Sequence, residues 1–188
     1  MISRPDSNDK PIFLIGYMAS GKTTLGRALA AATGRRFIDL DEYIESSAGK
    51  SISRIFAEEG ESHFRKLESQ SLSELIEAPG RVNVIIACGG GTPCFSNNMS
   101  MMNDAGLTVW LTAPKEVIIR RLVAKRSSRP LVAKLADGGE LESYVLENLE
   151  RRAPHYSLAA ERFDSSRLES ESEIDDSVSL FIENYLQR

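Results

Sequence analysis

A glycine-rich loop between a short apolar run and a helix-forming stretch constrains the fold of this chain most strongly. Residues 12–15 are apolar, residues 16–23 read GYMASGKT, and a helical pattern begins at Lys22. Two glycines five positions apart, followed by Lys and Thr, form the phosphate-binding loop pattern in its usual context of strand, loop and helix. Backbone N–H groups and the positive end of the helix attract an anion, Lys22 adds a point charge, and the Thr23 hydroxyl can bind a magnesium ion.

The alternative interpretation is an accidental glycine-rich turn. The order of strand, loop and helix around the glycines disfavours it. The pattern therefore predicts a nucleoside triphosphate site formed by Met18, Ala19, Ser20, Gly21, Lys22, Thr23 and Thr24.

Length and composition predict one domain. The chain has 188 residues, 41% of them hydrophobic and 27% charged, and a net charge of −4, which argues weakly against a nucleic-acid partner. No apolar stretch is long enough to cross a membrane. Residues 1–10 are polar and are expected to form a disordered leader before a single domain at 11–188. Cys88 and Cys94 match neither a metal nor a disulfide pattern, so we expect a cytoplasmic protein, and nothing in the sequence suggests an obligate protein partner, so we expect a monomer.

Strand-like and helical patterns alternate along the chain. We predict strands at 12–15, 36–41, 82–88, 107–112 and 162–164, and helices at 22–32, 42–48, 52–59, 61–77, 96–105, from 114 onward, 140–152 and 174–186. Alternation of this kind requires crossover connections and a parallel sheet covered on both faces, which makes this an α/β protein.

Three predicted strands end in residues with unusual chemistry. The phosphate-binding loop follows the first strand, Asp39 and Asp41 close the second, and Gly89–Gly91 follow the third in sequence order. Because ligands of a parallel sheet bind where its strands end, all three segments are expected to meet at one edge of the domain.

The two aspartates are separated by one residue and would share a face of an extended segment. One carboxylate suits magnesium, and the other could receive the proton of an acceptor alcohol. The alternative is that Asp41 caps the helix beginning at Glu42, with Asp39 a solvated strand end.

Other segments leave alternatives open. Gly89–Gly91 allow the backbone to approach a small polar molecule, or they form a tight turn. Arg65 could bind a carboxylate bidentately, or form a surface pair with Glu68 three residues on. His63 and His155 have no neighbours with ligand or triad spacing and are interpreted as surface or packing residues.

A basic stretch between residues 120 and 134 contains six cations and no acid. A solvated helix face explains part of such a run. Its glycine and serine interruptions also fit a mobile lid at about 125–139, whose Arg129 would close over bound substrates and exclude water.

In order and spacing these segments resemble the shikimate kinase family between about residues 11 and 156. The similarity includes the paired aspartates, the triple glycine, and several short motifs, which are Leu25-Gly26-Arg27, Gly60-Glu61 with Phe64-Arg65, Ser128-Arg129-Pro130-Leu131 and Arg151-Arg152-Ala153-Pro154-His155-Tyr156. The resemblance implies the nucleoside-monophosphate-kinase type of P-loop fold, a three-layer sandwich with a five-stranded parallel sheet and a lid. It also implies transfer of the ATP γ-phosphoryl group to the 3-hydroxyl of shikimate.

The resemblance further implies roles for individual residues. Thr23 and Asp39 would hold Mg2+, Asp41 would contact the shikimate hydroxyls, and Lys22 and Arg129 would balance charge on the transferred group. The acceptor would be bound by Phe56, Phe64, Arg65, Gly89, Gly90, Gly91 and Arg152. Lys125 and Arg126 are both candidates for the adenine contact.

Two rival functions are considered. Another small-molecule kinase of the same fold, such as a gluconate or nucleoside-monophosphate kinase, would share the phosphate-binding loop, although the triple glycine and the paired aspartates favour shikimate. A nucleotide-dependent switch is disfavoured because the sequence lacks the Asn/Thr-Lys-x-Asp segment with which GTPases read guanine.

Overall fold

The computed structural model describes residues 10–78, 82–124 and 139–187. Its strands are β1 (Ile12–Ile15), β2 (Arg36–Asp39), β3 (Val84–Ala87), β4 (Leu107–Thr112) and β5 (Glu161–Asp164). Its helices are α1 (Lys22–Thr33), α2 (Leu40–Ala48), α3 (Ile52–Glu77), α4 (Asn98–Ala105), α5 (Lys115–Ala124), α6 (Gly139–Tyr156) and α7 (Glu171–Tyr185), with a 3-10 helix at Thr92–Cys94.

The described strands form one five-stranded sheet in the order β2-β3-β1-β4-β5, and every neighbouring pair is parallel. The predicted α/β fold with a five-stranded parallel sheet is therefore confirmed. Parallel pairing puts the carboxyl ends of β1, β2 and β3 at the same edge, with β1 between β3 and β4. The loops that follow these strands consequently start beside one another.

Alternate residues of β1 belong to two different cores. Phe13 and Ile15 lie in a cluster with side chains of α2, α3, α4, α5 and α6. Ile12 and Leu14 lie in a second cluster with side chains of α1 and α7. All four residues are buried, as a central parallel strand covered on both faces requires. The molecule thus has three layers, with the sheet in the middle.

The bounds of several elements differ from those predicted, for identifiable reasons. Helix α2 begins at Leu40, two residues early, because Asp39 caps it. Helix α7 begins at Glu171, where Ser170 and Glu173 form a capping box. Helix α6 continues past Arg152 to Tyr156 despite Pro154, and the Tyr156 hydroxyl anchors its last turn by donating to the Gly90 carbonyl at 2.6 Å.

The two helices predicted at 52–59 and 61–77 form one element with a kink between them. Gly60 has φ 81° and ψ 171°, a non-helical conformation that L side chains rarely adopt. The kink separates the first part of α3 from the part that carries Phe64 and Arg65.

None of the helices within the described residues is both long and apolar enough to span a bilayer. Several predictions lie outside those residues, namely the leader up to residue 9, most of the lid, and Lys125, Arg126 and Arg129.

Candidate active site

The loop between β1 and α1 has a backbone that depends on its glycines. Residues Gly16, Ala19 and Gly21 have φ values of 140°, 62° and 96°. A Cβ on Gly16 would lie 2.6 Å from the Leu111 carbonyl oxygen of the neighbouring strand β4. Glycine is therefore required at this position by both conformation and space.

The amino end of α1 is prepared for an anion. Its N-cap, Gly21, has no side chain that could accept from the first N–H groups, and the first turn contains no acidic residue. The Lys22 ammonium lies over the loop and donates to the Gly16 and Tyr17 carbonyl oxygens, each at 2.9 Å. Free N–H groups, the helix dipole and a nearby cation together favour phosphate.

The remaining predicted loop residues line the same turn. Met18, Ala19 and Thr24 are half-buried, and Ser20 is buried. The Ser20 carbonyl accepts from the Ser165 hydroxyl at 2.6 Å, which fixes the loop against the segment after β5.

Thr23 and Asp39 lie together, as their predicted shared role requires. The Thr23 hydroxyl donates to Asp39 Oδ2 at 2.9 Å, and Asp39 Oδ1 accepts from the Asp41 backbone N–H at 3.1 Å. Asp39, and not Asp41, is the N-cap of α2. The expectation that both aspartates share a face of an extended segment, and the alternative that Asp41 is the cap, were both wrong, because the strand ends at Asp39 and the helix begins one residue later.

Asp41 lies in the first turn of α2 and is half-buried. Burial raises its pKa from 3.8 to about 6, and the negative charges of Asp39 and Glu68 act in the same direction. The nearby Lys22 ammonium opposes them. The Asp41 carboxylate is thus more basic than an ordinary aspartate while remaining mostly ionised at neutral pH.

The triple-glycine loop Gly89–Gly91 brings the predicted acceptor residues together. A Cβ on the first glycine would lie 3.0 Å from Asp41 Oδ1, on the second 3.3 Å from Arg152 Nη1, and on the third 2.7 Å from Arg65 Nη1. The loop also makes the predicted tight turn, since the Thr92 N–H donates to the Gly89 carbonyl at 3.1 Å, so the close-approach and tight-turn interpretations do not exclude each other. A carboxylate base and two guanidinium groups face one stretch of backbone.

Arg65 is not part of an exposed surface pair. Its Nη1 lies 2.8 Å from Glu68 Oε2 and its Nη2 lies 3.1 Å from Glu61 Oε1. The Arg65 side chain is 16% exposed and that of Glu68 only 1%. Arg65 and Glu68 do form the pair that their three-residue spacing predicts, but this pair is largely removed from water.

Arg152 connects the acceptor side to the phosphate-binding loop. Its guanidinium carbon lies 5.5 Å from the centre of the Tyr17 ring, within the range of a cation–π contact. The Cβ position of Gly90, beside Arg152, is 3.4 Å from the Met18 backbone nitrogen. The two loops are therefore direct neighbours.

Phe56 and Phe64 pack against each other across the kink of α3, with ring centres 4.7 Å apart. Phe64 is 4% exposed and belongs to the core, whereas Phe56 is 37% exposed. Phe64 also lies 5.1 Å from the Arg65 guanidinium carbon, so its ring borders the arginine predicted to bind the acceptor.

With this geometry established, comparison with known proteins identifies the family. The family model for shikimate kinase matches residues 18–183. The shikimate kinase of Parabacteroides distasonis is 44% identical over 89% of this chain and 94% of its own length. The solved shikimate kinase of Bacteroides thetaiotaomicron superimposes with a TM-score of 0.88 at 42% identity, covering 93% of this chain and 97% of its own.

The chain belongs to the shikimate kinase family. A solved structure of the Acinetobacter baumannii shikimate kinase in complex with shikimate is 31% identical and superimposes with a TM-score of 0.77 over 95% of this chain. These relatives do not favour the gluconate kinase alternative.

Glu68 shapes this kinase site, although its position in the sequence predicts only a surface pair with Arg65. Glu68 is fully buried, accepts from the Thr92 hydroxyl at 2.5 Å, and pairs with Arg65. It links α3 to the segment after the glycine loop. The only signal in the sequence is its spacing from Arg65, which does not distinguish a buried carboxylate from an exposed one.

Arg121 on α5 is one of the six cations in the basic stretch between residues 120 and 134. Its guanidinium donates to the Ser165 and Ser166 carbonyl oxygens at 2.9–3.1 Å and contacts the Ala19 carbonyl at 3.5 Å. It therefore ties the phosphate-binding loop of this family to the segment after β5.

The cysteines of this kinase are free thiols. Cys88 is buried, and burial raises its pKa well above the usual range. Its Sγ lies 3.5 Å from Met102 Sδ, so it acts as a core residue. Within the described residues there is no group of three or more His, Cys, Asp and Glu side chains suited to a metal ion.

Proposed function

We propose that this chain transfers the γ-phosphoryl group of ATP to the 3-hydroxyl of shikimate, producing shikimate 3-phosphate and ADP. Family membership supports the reaction, and the convergence of Asp41, Arg65 and Arg152 on Gly89–Gly91, beside the phosphate-binding loop, supports the placement of its substrates. This convergence carries the proposal, because a phosphoryl acceptor with a carboxylate needs a base and a cationic clamp next to the triphosphate.

On the nucleotide side, backbone N–H groups of residues 18–24 bind the phosphates, and Lys22 balances charge on the transferred group. The adjacent Thr23 hydroxyl and Asp39 carboxylate, 2.9 Å apart, are oxygen ligands of the kind that Mg2+ prefers, and we propose that they hold this ion. When bound, Mg2+ would neutralise phosphate charge.

On the acceptor side, Asp41 accepts a hydrogen bond from the reacting hydroxyl and takes its proton as the new oxygen–phosphorus bond forms. Its raised pKa makes it a better proton acceptor than an ordinary aspartate. Arg65 and Arg152 bind the acceptor carboxylate, backbone N–H groups of Gly89–Gly91 fix its hydroxyls, and Phe56 and Phe64 form the wall beside Arg65.

We also propose a lid, as the sequence predicts. Residues 125–139 would close over both substrates, with Arg129 adding positive charge at the transferred group and Lys125 or Arg126 contacting adenine. Residues 1–10 would be a leader and 11–188 the single kinase domain. We further propose that the protein acts as a monomer in the cytoplasm, a reducing compartment in which the thiols of Cys88 and Cys94 would stay free.

The function is tested by measuring ADP release from ATP in parallel with shikimate, with gluconate and without an acceptor. Release that depends on shikimate, with formation of its 3-phosphate, is the expected result. Turnover with gluconate alone would move the assignment to another kinase of the fold, and acceptor-independent turnover would favour a nucleotide switch.

A further inference from the structure

The Arg65 guanidinium is held by two carboxylates along its edges. Its Nε and Nη2 donate to Glu61 Oε1 at 3.3 and 3.1 Å, and its Nη1 donates to Glu68 Oε2 at 2.8 Å. A guanidinium has five N–H donors. Of these, three are used among the described residues, which leaves one N–H on each Nη atom. Two N–H groups on different Nη atoms are able to donate to the two oxygens of one carboxylate.

A face of the same guanidinium is covered by the ring of Phe95, which lies outside the sequence motifs of the candidate site. The centre of the Phe95 ring lies 4.1 Å from the Arg65 guanidinium carbon, closer than the 5.1 Å to Phe64. Contacts at this distance are attractive because the ring face is negative. Stacking also keeps water from one side of the cation and fixes the plane in which its free N–H groups point.

The position of Phe95 in the chain ties this contact to the glycine loop. Phe95 follows the 3-10 helix Thr92–Cys94, which starts directly after Gly91. Gly91 lies beside the same guanidinium, with its Cβ position 2.7 Å from Nη1 and 2.9 Å from Cζ. The segment 91–95 therefore contacts Arg65 at both of its ends.

Phe95 contributes little to the folded core. It is 37% exposed and belongs to neither hydrophobic cluster. An exposed phenylalanine gains less by burial than a core residue does, so replacing the Phe95 ring should affect its contact with Arg65 more than the stability of the fold.

We propose that Phe95 is a positioning residue for acceptor recognition, whose ring holds the Arg65 guanidinium in the orientation that binds the acceptor carboxylate. The inference rests on the proposed function, in which Arg65 binds that carboxylate. Phe95 thereby favours acceptors with a planar anionic group over neutral polyols, although it makes no hydrogen bond itself.

The test compares Phe95→Leu, which removes the ring, with Phe95→Tyr, which retains it. For Phe95→Leu we expect the KM for shikimate to rise about 2- to 30-fold, the range that the loss of a cation–π contact gives, while kcat and the KM for ATP change less than twofold. Phe95→Tyr should retain the wild-type KM.

Phe37→Leu is a control for the loss of an arginine–ring contact elsewhere, because the Phe37 ring lies 5.2 Å from the Arg27 guanidinium carbon and packs against the second core. It should leave the KM for shikimate unchanged. An unchanged KM in Phe95→Leu, or an equal rise for ATP, would overturn the proposal.

A second acceptor separates positioning from general damage. With a shikimate analogue whose carboxylate is replaced by a hydroxymethyl group, Phe95→Leu and the wild type should show the same KM, since the guanidinium no longer pairs with an anion. The same fold-loss with analogue and shikimate would contradict the proposed role. Failure of the wild type to phosphorylate shikimate would instead reject the proposed function, so the two failures are distinguishable.

Discussion

The Asp41 carboxylate has a raised pKa and lies near the carboxylates of Asp39 and Glu68. If it takes the acceptor proton, Asp41→Asn should lower kcat about 10²- to 10⁴-fold, the range for loss of a general base. Nucleotide affinity should be retained, because the phosphate-binding loop is unchanged. ATP binding by calorimetry and steady-state turnover measure the two effects, and unchanged turnover would remove Asp41 from this role.

The same substitution should stabilise the protein. The folded pKa of about 6 lies above the reference value of 3.8, so the folded state binds more protons than the unfolded state between these pH values. Stability therefore falls as pH rises through this window, and at neutral pH the ionised carboxylate costs up to about 3 kcal/mol.

When a chelator removes metal ions from the buffer, Asp41→Asn should raise the melting temperature at pH 7 by several degrees. It should have little effect near pH 4. Thermal unfolding at both pH values is the measurement. An equal shift at both would show that relief of the buried charge is not the cause.

Arg65 should matter for both binding and stability. Arg65→Ala leaves the buried Glu68 carboxylate without its cation, which we expect to cost about 3 kcal/mol of unfolding free energy. The KM for shikimate should rise at least tenfold with little change for ATP. Urea unfolding and steady-state kinetics measure the two effects.

Arg54→Ala is the matched control, since Arg54 lies on the same helix and pairs with Glu58 but is 63% exposed. It should change both quantities little. Equal rises in KM for both substrates upon Arg65→Ala would show that Arg65 does not act on the acceptor.

At the scale of elements, the loop Gly89–Gly91 needs glycine at its last position because there is no room for a side chain, and not because of its backbone conformation. Gly91 has φ −94°, which any residue adopts, yet its Cβ position lies 2.7–2.9 Å from three atoms of the Arg65 guanidinium. Gly91→Ala should displace this group from Glu68 and raise the KM for shikimate about tenfold while kcat falls less.

Gly34→Ala is the control, because Gly34 has an unusual backbone conformation but open space around its Cβ position. Gly34 ends α1 at φ 69° with no atom within 4 Å of its Cβ position. The substitution should cost about 1 kcal/mol of stability through backbone strain and leave both KM values unchanged. A change in the shikimate KM as large as that of Gly91→Ala would mean that general destabilisation explains both.

Element boundaries illustrate what local patterns predict. Helix α1 and its glycine stop agree closely with the prediction, because periodicity and the cap are encoded within a few residues. The start of α2 was missed because Leu40 packs in the core and Asp39 caps the helix through the Asp41 N–H. The burial of Leu40 depends on side chains from other helices, whereas the cap is a contact within two residues.

At the scale of the whole molecule, both proposed substrate sites lie at the carboxyl edge of one five-stranded sheet. Ligands that bind only the folded state should raise the melting temperature, by about 5–10 °C at a hundredfold excess over Kd. In Arg65→Ala the shift caused by shikimate should disappear while the shift caused by ADP persists.

Differential scanning fluorimetry of wild type and Arg65→Ala with each ligand measures this. Loss of both shifts would mean that the two sites are not separable as described. Retention of the shikimate shift would place its carboxylate elsewhere.

The sequence by itself determined the strand–loop–helix phosphate site, the parallel sheet and the family, because these depend on local chemistry in a fixed order along the chain. Only the tertiary structure decided that Glu68 is buried, that Phe95 covers Arg65, and that Arg152 lies beside Tyr17. The burial of Glu68 depends on which face of its helix points inward. The other two contacts join residues on different elements. Burial and the charges that accompany it arise only when the layers pack together.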